Sequence, residues 1–327
     1  MGANTDAAIA ALRKKYGEGS IGWLGEVRSA LRVTGIPTGS IGLDLALNCG
    51  GLPKGRISEL FGVESCGKTT LALHIIASVQ RSDGRAAAFI DAEHALDPEY
   101  CAALGVDLDH LLLCQPDTAE QALDTADALV RTGEFDLIVI DSVAGLVPKV
   151  EIDGAIGDAQ VGVKARLMSK ACRVLTEPVK TNDVALLFIN QVRSQIGGFA
   201  GTVTPGGWGL KFAASVRIKL NQTKGGRLKD GDEDNARRIQ ATVVKSKVGP
   251  PFRTAEFDIV YGEGIVFERD LLIQGIRLKI VKQNGSWISF DGEQVGQGLS
   301  KATQALKGDP ALASRIQMAI VQGIDSE

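Results

Sequence analysis

Apolar residues along this chain come in short bursts. Residues 56–61, 86–90, 137–140, 184–189, 215–220 and 240–244 are apolar-rich runs of four to six. That is strand length, and such runs set between helices belong to a sheet buried on both faces. Residues 69–80 carry apolar positions at helical spacing, and the Ala-rich segment 118–131 does the same. Strand and helix therefore alternate from about residue 33 to residue 268. The pattern predicts an α/β core built on a mostly parallel sheet.

Two other patterns flank that core. Ala8, Ile9, Leu12 and Tyr16 lie at helical spacing ahead of it, with Gly17 placed to end the helix. So short a helix is marginal alone and needs a partner surface, its own core or a neighbouring subunit. After residue 269, Asp291-Gly292 separates 287–290 from 293–296, a two-residue hairpin signal, and helices are expected near 299–307 and 310–322. The expected organisation is a helical oligomerisation segment at 1–32, a core at 33–268 and a small α+β domain at 269–327.

Three stretches break the pattern and read as irregular: 151–163, with three Gly and three acids; 197–209, with six Gly in thirteen residues; and the charged segment 223–235. Long loops inside a compact domain usually carry function. The apolar runs are too short to span a bilayer. The first residues lack the apolar centre of a secretory signal, and Asp6 stands where a myristoylation pattern needs Ser or Thr. Five Cys, with no CxxC pair, read as reduced thiols in the cytoplasm, forming neither a disulfide framework nor a zinc site. A net charge of -3 does not advertise nucleic-acid binding, so any such site must come from local basic clusters.

The strongest chemical signal is Gly62-Val63-Glu64-Ser65-Cys66-Gly67-Lys68-Thr69, followed by Thr70. It matches GxxxxGK[ST] and lies between an apolar run and a helical segment, as a phosphate loop must. Backbone N–H groups of such a turn face the phosphates of ATP, the Lys68 ammonium reaches the terminal ones, and the Thr69 hydroxyl holds Mg²⁺. Asp141 ends the run 137–140 and reads as the second metal-holding acid, acting through water. Glu93 follows the run 86–90 and has two readings: a base that orients the attacking water, or an acid at a helix N-terminus near His94 and Asp97.

Several stretches taken together resemble the bacterial RecA recombinase family: GVESCGKTTLALHIIA, FIDAEHALDPEY, LLLCQPDTAEQAL, DLIVIDSVAGLVPKVEIDGAIGD, FINQVRSQIG, GLKFAASVRIKL and AEFDIVYGEGI. The likeness runs in one order over roughly residues 5–322. It implies a RecA-type phosphate-loop ATPase core that polymerises on single-stranded DNA and drives homologous pairing and strand exchange. It also implies binding of double-stranded DNA, self-association into a helical filament, and promotion of self-cleavage of a LexA-type repressor in the SOS response. By the same resemblance Glu93 activates water, Tyr100 stacks on adenine with Asp97 nearby, and Gln191 senses the γ-phosphate. Lys245 and Lys247 then reach a neighbour's ATP site, where their residue-level reading is a solvated strand edge, since i and i+2 share a face. Phe212 is implied at the same interface, or is a core aromatic.

Two Gly-rich loops, about 153–163 and 192–209, match the family's DNA-binding loops. Arg166, Ser169, Arg173, Gly206 and Gly207 match phosphate-contacting positions, with Arg193, Lys164, Lys170 and Lys211 flanking them. Ile196 matches a residue that wedges between base steps, and Val161 replaces a Met that touches the second strand. The basic cluster 164–173 has a second reading as the solvent face of a helix, although its cations form no single clean stripe. Within the second loop, Gly201-Thr202-Val203-Thr204-Pro205 is shorter than is common in the family and uncharged, with Trp208 after the Gly pair, expected to lie in a mobile loop and stack on bases. Cys66 stands where Ser is usual, and its thiol, beside Lys68 and a helix N-terminus, is expected to have a lowered pKa and to react with alkylating reagents. The chain ends at GIDSE without a long acidic tail, from which less selective duplex binding is expected. The same motifs also allow a RecA-fold DNA motor, or a regulatory ATP-switched filament without full strand exchange.

Overall fold

The computed structural model describes residues 3–27, 32–82, 84–155, 162–194, 202–230 and 233–325. The chain divides into two compact units, Met1–Thr34 and Gly35–Glu327. In the first, helix Ala3–Tyr16 ends at Gly17, whose N–H donates to Arg13 O at 2.8 Å at a φ of 99°. The Arg13 guanidinium closes the turn by donating to Ile21 O at 2.9 Å.

The second unit is built on a nine-stranded sheet. Its strands are β1 (Arg56–Gly62), β2 (Ala86–Asp91), β3 (Leu111–Cys114), β4 (Phe135–Asp141), β5 (Ala185–Gln191), β6 (Val216–Asp230), β7 (Glu233–Ser246), β8 (Thr254–Val260) and β9 (Gly264–Ile265). Their order across the sheet is β9-β8-β7-β6-β1-β5-β4-β2-β3. From β6 to β3 every pairing is parallel, and β7, β8 and β9 add antiparallel strands at one side. The fold is therefore α/β, with the mostly parallel sheet the apolar bursts predict.

Alternating residues of the central strands feed two cores. Phe89, Leu137, Val139, Leu187 and Ile189 pack with Leu71, Ile75 and Ile76 of helix Lys68–Arg81. Ile90, Ile138, Ile140, Leu186 and Phe188 face Ala122, Ala126 and Val130 of helix Ala119–Thr132 and Met168, Cys172 and Leu175 of helix Val163–Thr181. Covering both faces is what lets these strands be apolar throughout. A third core joins Ile41 to Leu271, Leu272, Ile288, Leu306, Ile316 and Ile320 around the small sheet Lys282–Asn284, Trp287–Phe290 and Glu293–Gln297. Asp291 and Gly292 turn that hairpin with φ of 51° and 85°, as a tight right-twisting turn needs.

Residues 223–230 and 233–235 are strand: β6 and β7 continue outward, with Arg227 opposite Arg237 and Asp230 opposite Glu233 across two register shifts. Charge and glycine content hide this ladder, because backbone pairing leaves no mark in the side-chain pattern. The other irregular stretches also contain order. Lys149–Asp153 is a short helix, Thr202–Val203 pairs with Arg193–Ser194, and Gly207–Ala213 is helical. Trp208 is thus on a helix, contrary to its expected place in a loop.

Candidate functional site

The phosphate loop starts where β1 stops. A side chain at Gly62 would meet Leu220 O at 2.4 Å, so close backbone approach reserves this position for glycine. The loop runs into helix Lys68–Arg81, with Gly67 as N-cap and no side chain capping its first N–H groups. Those donors are left for an anion. Lys68 is buried, and its Nζ donates to Val63 O at 2.8 Å within the loop.

Burial decides the chemistry of Cys66. The thiol is 1% exposed and burial pushes it up; the nearby Lys68 ammonium, 3.9 Å from Sγ, only partly opposes that. The expected lowering of its pKa is therefore overturned: proximity to a cation is outweighed by loss of water.

β2 and β4 are adjacent and parallel, which brings Asp91 opposite Asp141 at the carboxyl ends of both strands. Thr69 Oγ1 donates to Asp141 Oδ2 at 2.7 Å. Burial raises the Asp141 carboxyl to about 6, the Glu93 charge adds to this and the Thr69 hydroxyl opposes it. A buried carboxylate with a hydroxyl beside it and too little positive charge is a donor set suited to a divalent cation completed by phosphate oxygens.

Glu93 leaves β2 on a turn shaped by Asp91, which accepts from the N–H groups of Glu93 and Leu96 at 3.2 and 3.1 Å. Its Oε1 accepts from Ser142 Oγ and from Gln191 Nε2, the latter at 3.1 Å. The helix-capping reading belongs to Asp97, which accepts from Glu99 N at 2.9 Å and Tyr100 N at 3.4 Å and so starts helix Pro98–Ala103. Lys68, Thr69, Glu93, Asp141 and Gln191 thus converge at one end of the sheet, where ligands of open α/β folds bind.

Tyr100 joins the same region. Its hydroxyl lies 2.9 Å from Thr70 Oγ1, and its ring stacks on Tyr261 with centroids 5.9 Å apart. Tyr261 is a residue that sequence reasoning missed. The only signal is its place in the turn Tyr-Gly-Glu-Gly between β8 and β9, which says nothing about distance to Tyr100.

Gln191 ends β5 and leads into the second Gly-rich segment. Its neighbour Asn190 is fully buried and donates to Glu59 Oε1 at 2.9 Å and to Pro205 O at 3.0 Å. The chain on the far side of the segment is therefore tied to the centre of the sheet. Lys245 Nζ donates to the carbonyls of Lys211 and Phe212 at 2.7 and 3.0 Å, and Lys247 Nζ to Phe212 O at 3.3 Å. Neither is a merely solvated edge residue, because both cap the carboxyl end of helix Gly207–Ala213. Phe212 is 69% exposed, which removes its core reading, and Trp208, equally exposed, stacks on it at 5.7 Å.

Arg166, Ser169 and Arg173 are on helix Val163–Thr181 with Arg166 and Arg173 exposed, and Arg193 is exposed after β5. Lys164 is not an outward cation like these; it is half-buried and donates to Ala144 O at 3.1 Å. Side chains at Gly207 and Gly209 would meet Ala165 Cβ at 2.8 Å and Ser169 Oγ at 2.5 Å. These glycines therefore let the two helices touch. Val161 and Ile196 lie outside the described residues.

The RecA N-terminal domain model matches residues 3–266 and the RecA C-terminal domain model residues 270–325. "Protein RecA" of Frankia alni is 52% identical over 317 residues, covering 96% of this chain and 90% of its own. "Protein RecA" of Heliobacterium modesticaldum is 52% identical over 315 residues and that of Methylococcus capsulatus 49% over 316, both with the same 96% and 90% coverage.

Proposed function

The chain belongs to the RecA family, and on that premise we propose how its residues do the family's work. It is a DNA-dependent ATPase that polymerises on single-stranded DNA and catalyses homologous pairing and strand exchange in recombinational repair. The observation that carries the residue assignment is the junction at Glu93, where one carboxylate oxygen meets both Ser142 and Gln191 beside the Thr69–Asp141 pair.

ATP lies with its phosphates against the loop from Gly62 to Thr70. Lys68 exchanges its bond to Val63 O for the terminal phosphates. Thr69 and Asp141 would hold Mg²⁺, which neutralises phosphate charge when bound. Glu93 orients the attacking water and accepts its proton, and Ser142 and Gln191 fix that carboxylate until nucleotide arrives. Tyr100 and Tyr261 form the aromatic face for adenine. Gln191 senses the γ-phosphate and passes its state to the segment between Arg193 and Gly206.

In the filament Lys245 and Lys247 leave the carbonyls of Lys211 and Phe212 and reach the ATP of the neighbouring protomer, where added positive charge stabilises phosphoryl transfer. DNA runs past Arg166, Ser169, Arg173, Arg193, Gly206 and Gly207, with Val161 and Ile196 at the bases. A groove in which each protomer repeats these few cations is basic even though the monomer is not. A LexA-type repressor as a further partner rests on the family, and a cytoplasmic location rests on the family and on five unpaired thiols.

The test is direct. Purified protein with ATP should form helical filaments on single-stranded DNA in electron micrographs and produce joint molecules with homologous duplex. Filaments without joint molecules would favour the regulatory reading, and absence of filaments with a non-hydrolysable nucleotide would refute both.

A further inference from the structure

His74 stands one turn along the phosphate-loop helix from Thr70, so the two share a face. Thr70 Oγ1 meets the Tyr100 hydroxyl at 2.9 Å. His74 Nε2 accepts the N–H of Ile265 at 2.9 Å, in the short strand β9 that follows the turn bearing Tyr261. The turn itself is narrow: Val260 pairs with Gly264, and Glu263 N–H donates to Val260 O at 3.2 Å. One helix face thus holds both members of the Tyr100–Tyr261 stack.

Two glycines let the chain close around the imidazole. A side chain at Gly264 would meet His74 Nε2 at 2.2 Å and Leu104 Cδ2 at 2.4 Å, and one at Gly39 would meet His74 Cβ at 3.0 Å. Burial pushes the ring down to about 4, so it is neutral near pH 7 with the proton on Nδ1, leaving Nε2 as an acceptor. Tyr261 by contrast is 77% exposed and has little packing of its own. Something beneath it must fix its position.

We propose that His74 is a positioning residue for base recognition: by holding Ile265 it sets the Tyr261 ring against Tyr100, in register with the phosphate loop on the same helix. The inference rests on the reading of Tyr100 and Tyr261 as the adenine face. It predicts a loss confined to the base end of the nucleotide, because the residue His74 holds, Ile265, lies beside the Tyr261 turn and outside the phosphate loop.

The experiment compares His74→Leu, His74→Gln, Tyr100→Ala and Tyr261→Ala in the full chain, after circular dichroism shows each folded. Affinities are measured for ATP and for inorganic tripolyphosphate, with KM and kcat for hydrolysis on saturating single-stranded DNA. For His74→Leu the ATP KM should rise about tenfold, the range of one lost base stack, with kcat and tripolyphosphate affinity within about twofold. His74→Gln, whose amide oxygen can accept from Ile265 N–H, should restore most of the ATP affinity. Equal loss for ATP and tripolyphosphate in His74→Leu, or unchanged ATP affinity while Tyr261→Ala loses it, would overturn the role of His74. If neither tyrosine variant weakens ATP relative to tripolyphosphate, the adenine reading itself falls.

Discussion

Gln191 Nε2 donates to Glu93 Oε1 at 3.1 Å, joining the last residue of one central strand to the carboxylate that follows another. The contact exists because β5, β4 and β2 are successive neighbours in the sheet. It gives a physical link between the carboxylate proposed for hydrolysis and the segment proposed to meet DNA. Glu93→Gln keeps the size and the hydrogen bonds but cannot take a proton. ATP and DNA binding should persist while turnover falls by about 10²–10⁴. Normal hydrolysis in this variant would remove Glu93 from the catalytic role.

Gln191→Ala tests the other end of that contact. Nucleotide binding without DNA should be close to unchanged, and the stimulation of hydrolysis by single-stranded DNA should be lost. The comparison is the ratio of rates with and without DNA. A ratio equal to that of the parent would show that the segment receives its signal elsewhere.

How much of this could be read beforehand depends on separation along the chain. The phosphate loop is one continuous stretch, and Asp141 ends an apolar run, so local pattern reveals both. The resemblance supplied Glu93 its role, but its contact with Gln191 joins residues 98 positions apart and needs the strand order. Tyr261 escaped notice for the same reason. Lys245 and Lys247 were ambiguous between a solvated strand edge and an interface, and Phe212 between an interface and the core, because sequence does not show which surface a side chain meets. Burial, which sequence reports poorly at a single position, reversed the reading of Cys66. The outer β6–β7 ladder was hidden because its sequence is charged and Gly-rich, and backbone pairing leaves no periodic signal.

Glu59 is fully buried in β1 and is held by Arg217 of β6 and by Asn190 of β5. Such a carboxylate keeps its place only while paired. Arg217→Met should destabilise the protein by about 3–5 kcal/mol, the penalty of an orphaned buried charge. The pair Glu59→Gln with Arg217→Met should recover much of that loss. Urea unfolding of the single and double variants measures both, and additive losses would show that the two do not act as a pair.

Cys66 should be among the slowest thiols to react. At pH 8 its alkylation by iodoacetamide, followed by mass spectrometry of the Cys66 peptide, should be roughly a hundredfold slower than that of a free thiol. Reaction should become fast in urea. Fast labelling of the folded protein would mean that the loop opens far enough to hydrate the sulfur.

Trp208 is exposed, lies on Phe212 and has the Lys211 ammonium 4.9 Å from its ring. A ring so placed can exchange its neighbours for nucleobases or for a second protomer. With Trp23 and Trp287 replaced by Phe, its emission should change when single-stranded DNA and a non-hydrolysable ATP analogue are added together. An unchanged spectrum at saturation would place this helix away from both surfaces.

Asp44 makes a stability prediction with a definite sign. Burial lifts its carboxyl from 3.8 to about 7, against the opposing bonds from Thr38, and the nearby Asp270 charge adds to the lift. The folded state therefore binds a proton that the unfolded chain has released, so the contribution is full below about pH 4 and disappears as pH rises through 7. Both bonds from Thr38, at 2.9 and 2.7 Å, go to Oδ1, and an asparagine oxygen can accept both. Asp44→Asn should thus remove the buried charge at little other cost. Its Tm relative to the parent should climb between pH 5 and pH 8, by about 3 °C or more for a unit of this size. Scanning calorimetry across that range decides it: a difference that stays flat or shrinks with pH would mean that Asp44 is ionised in the folded state throughout.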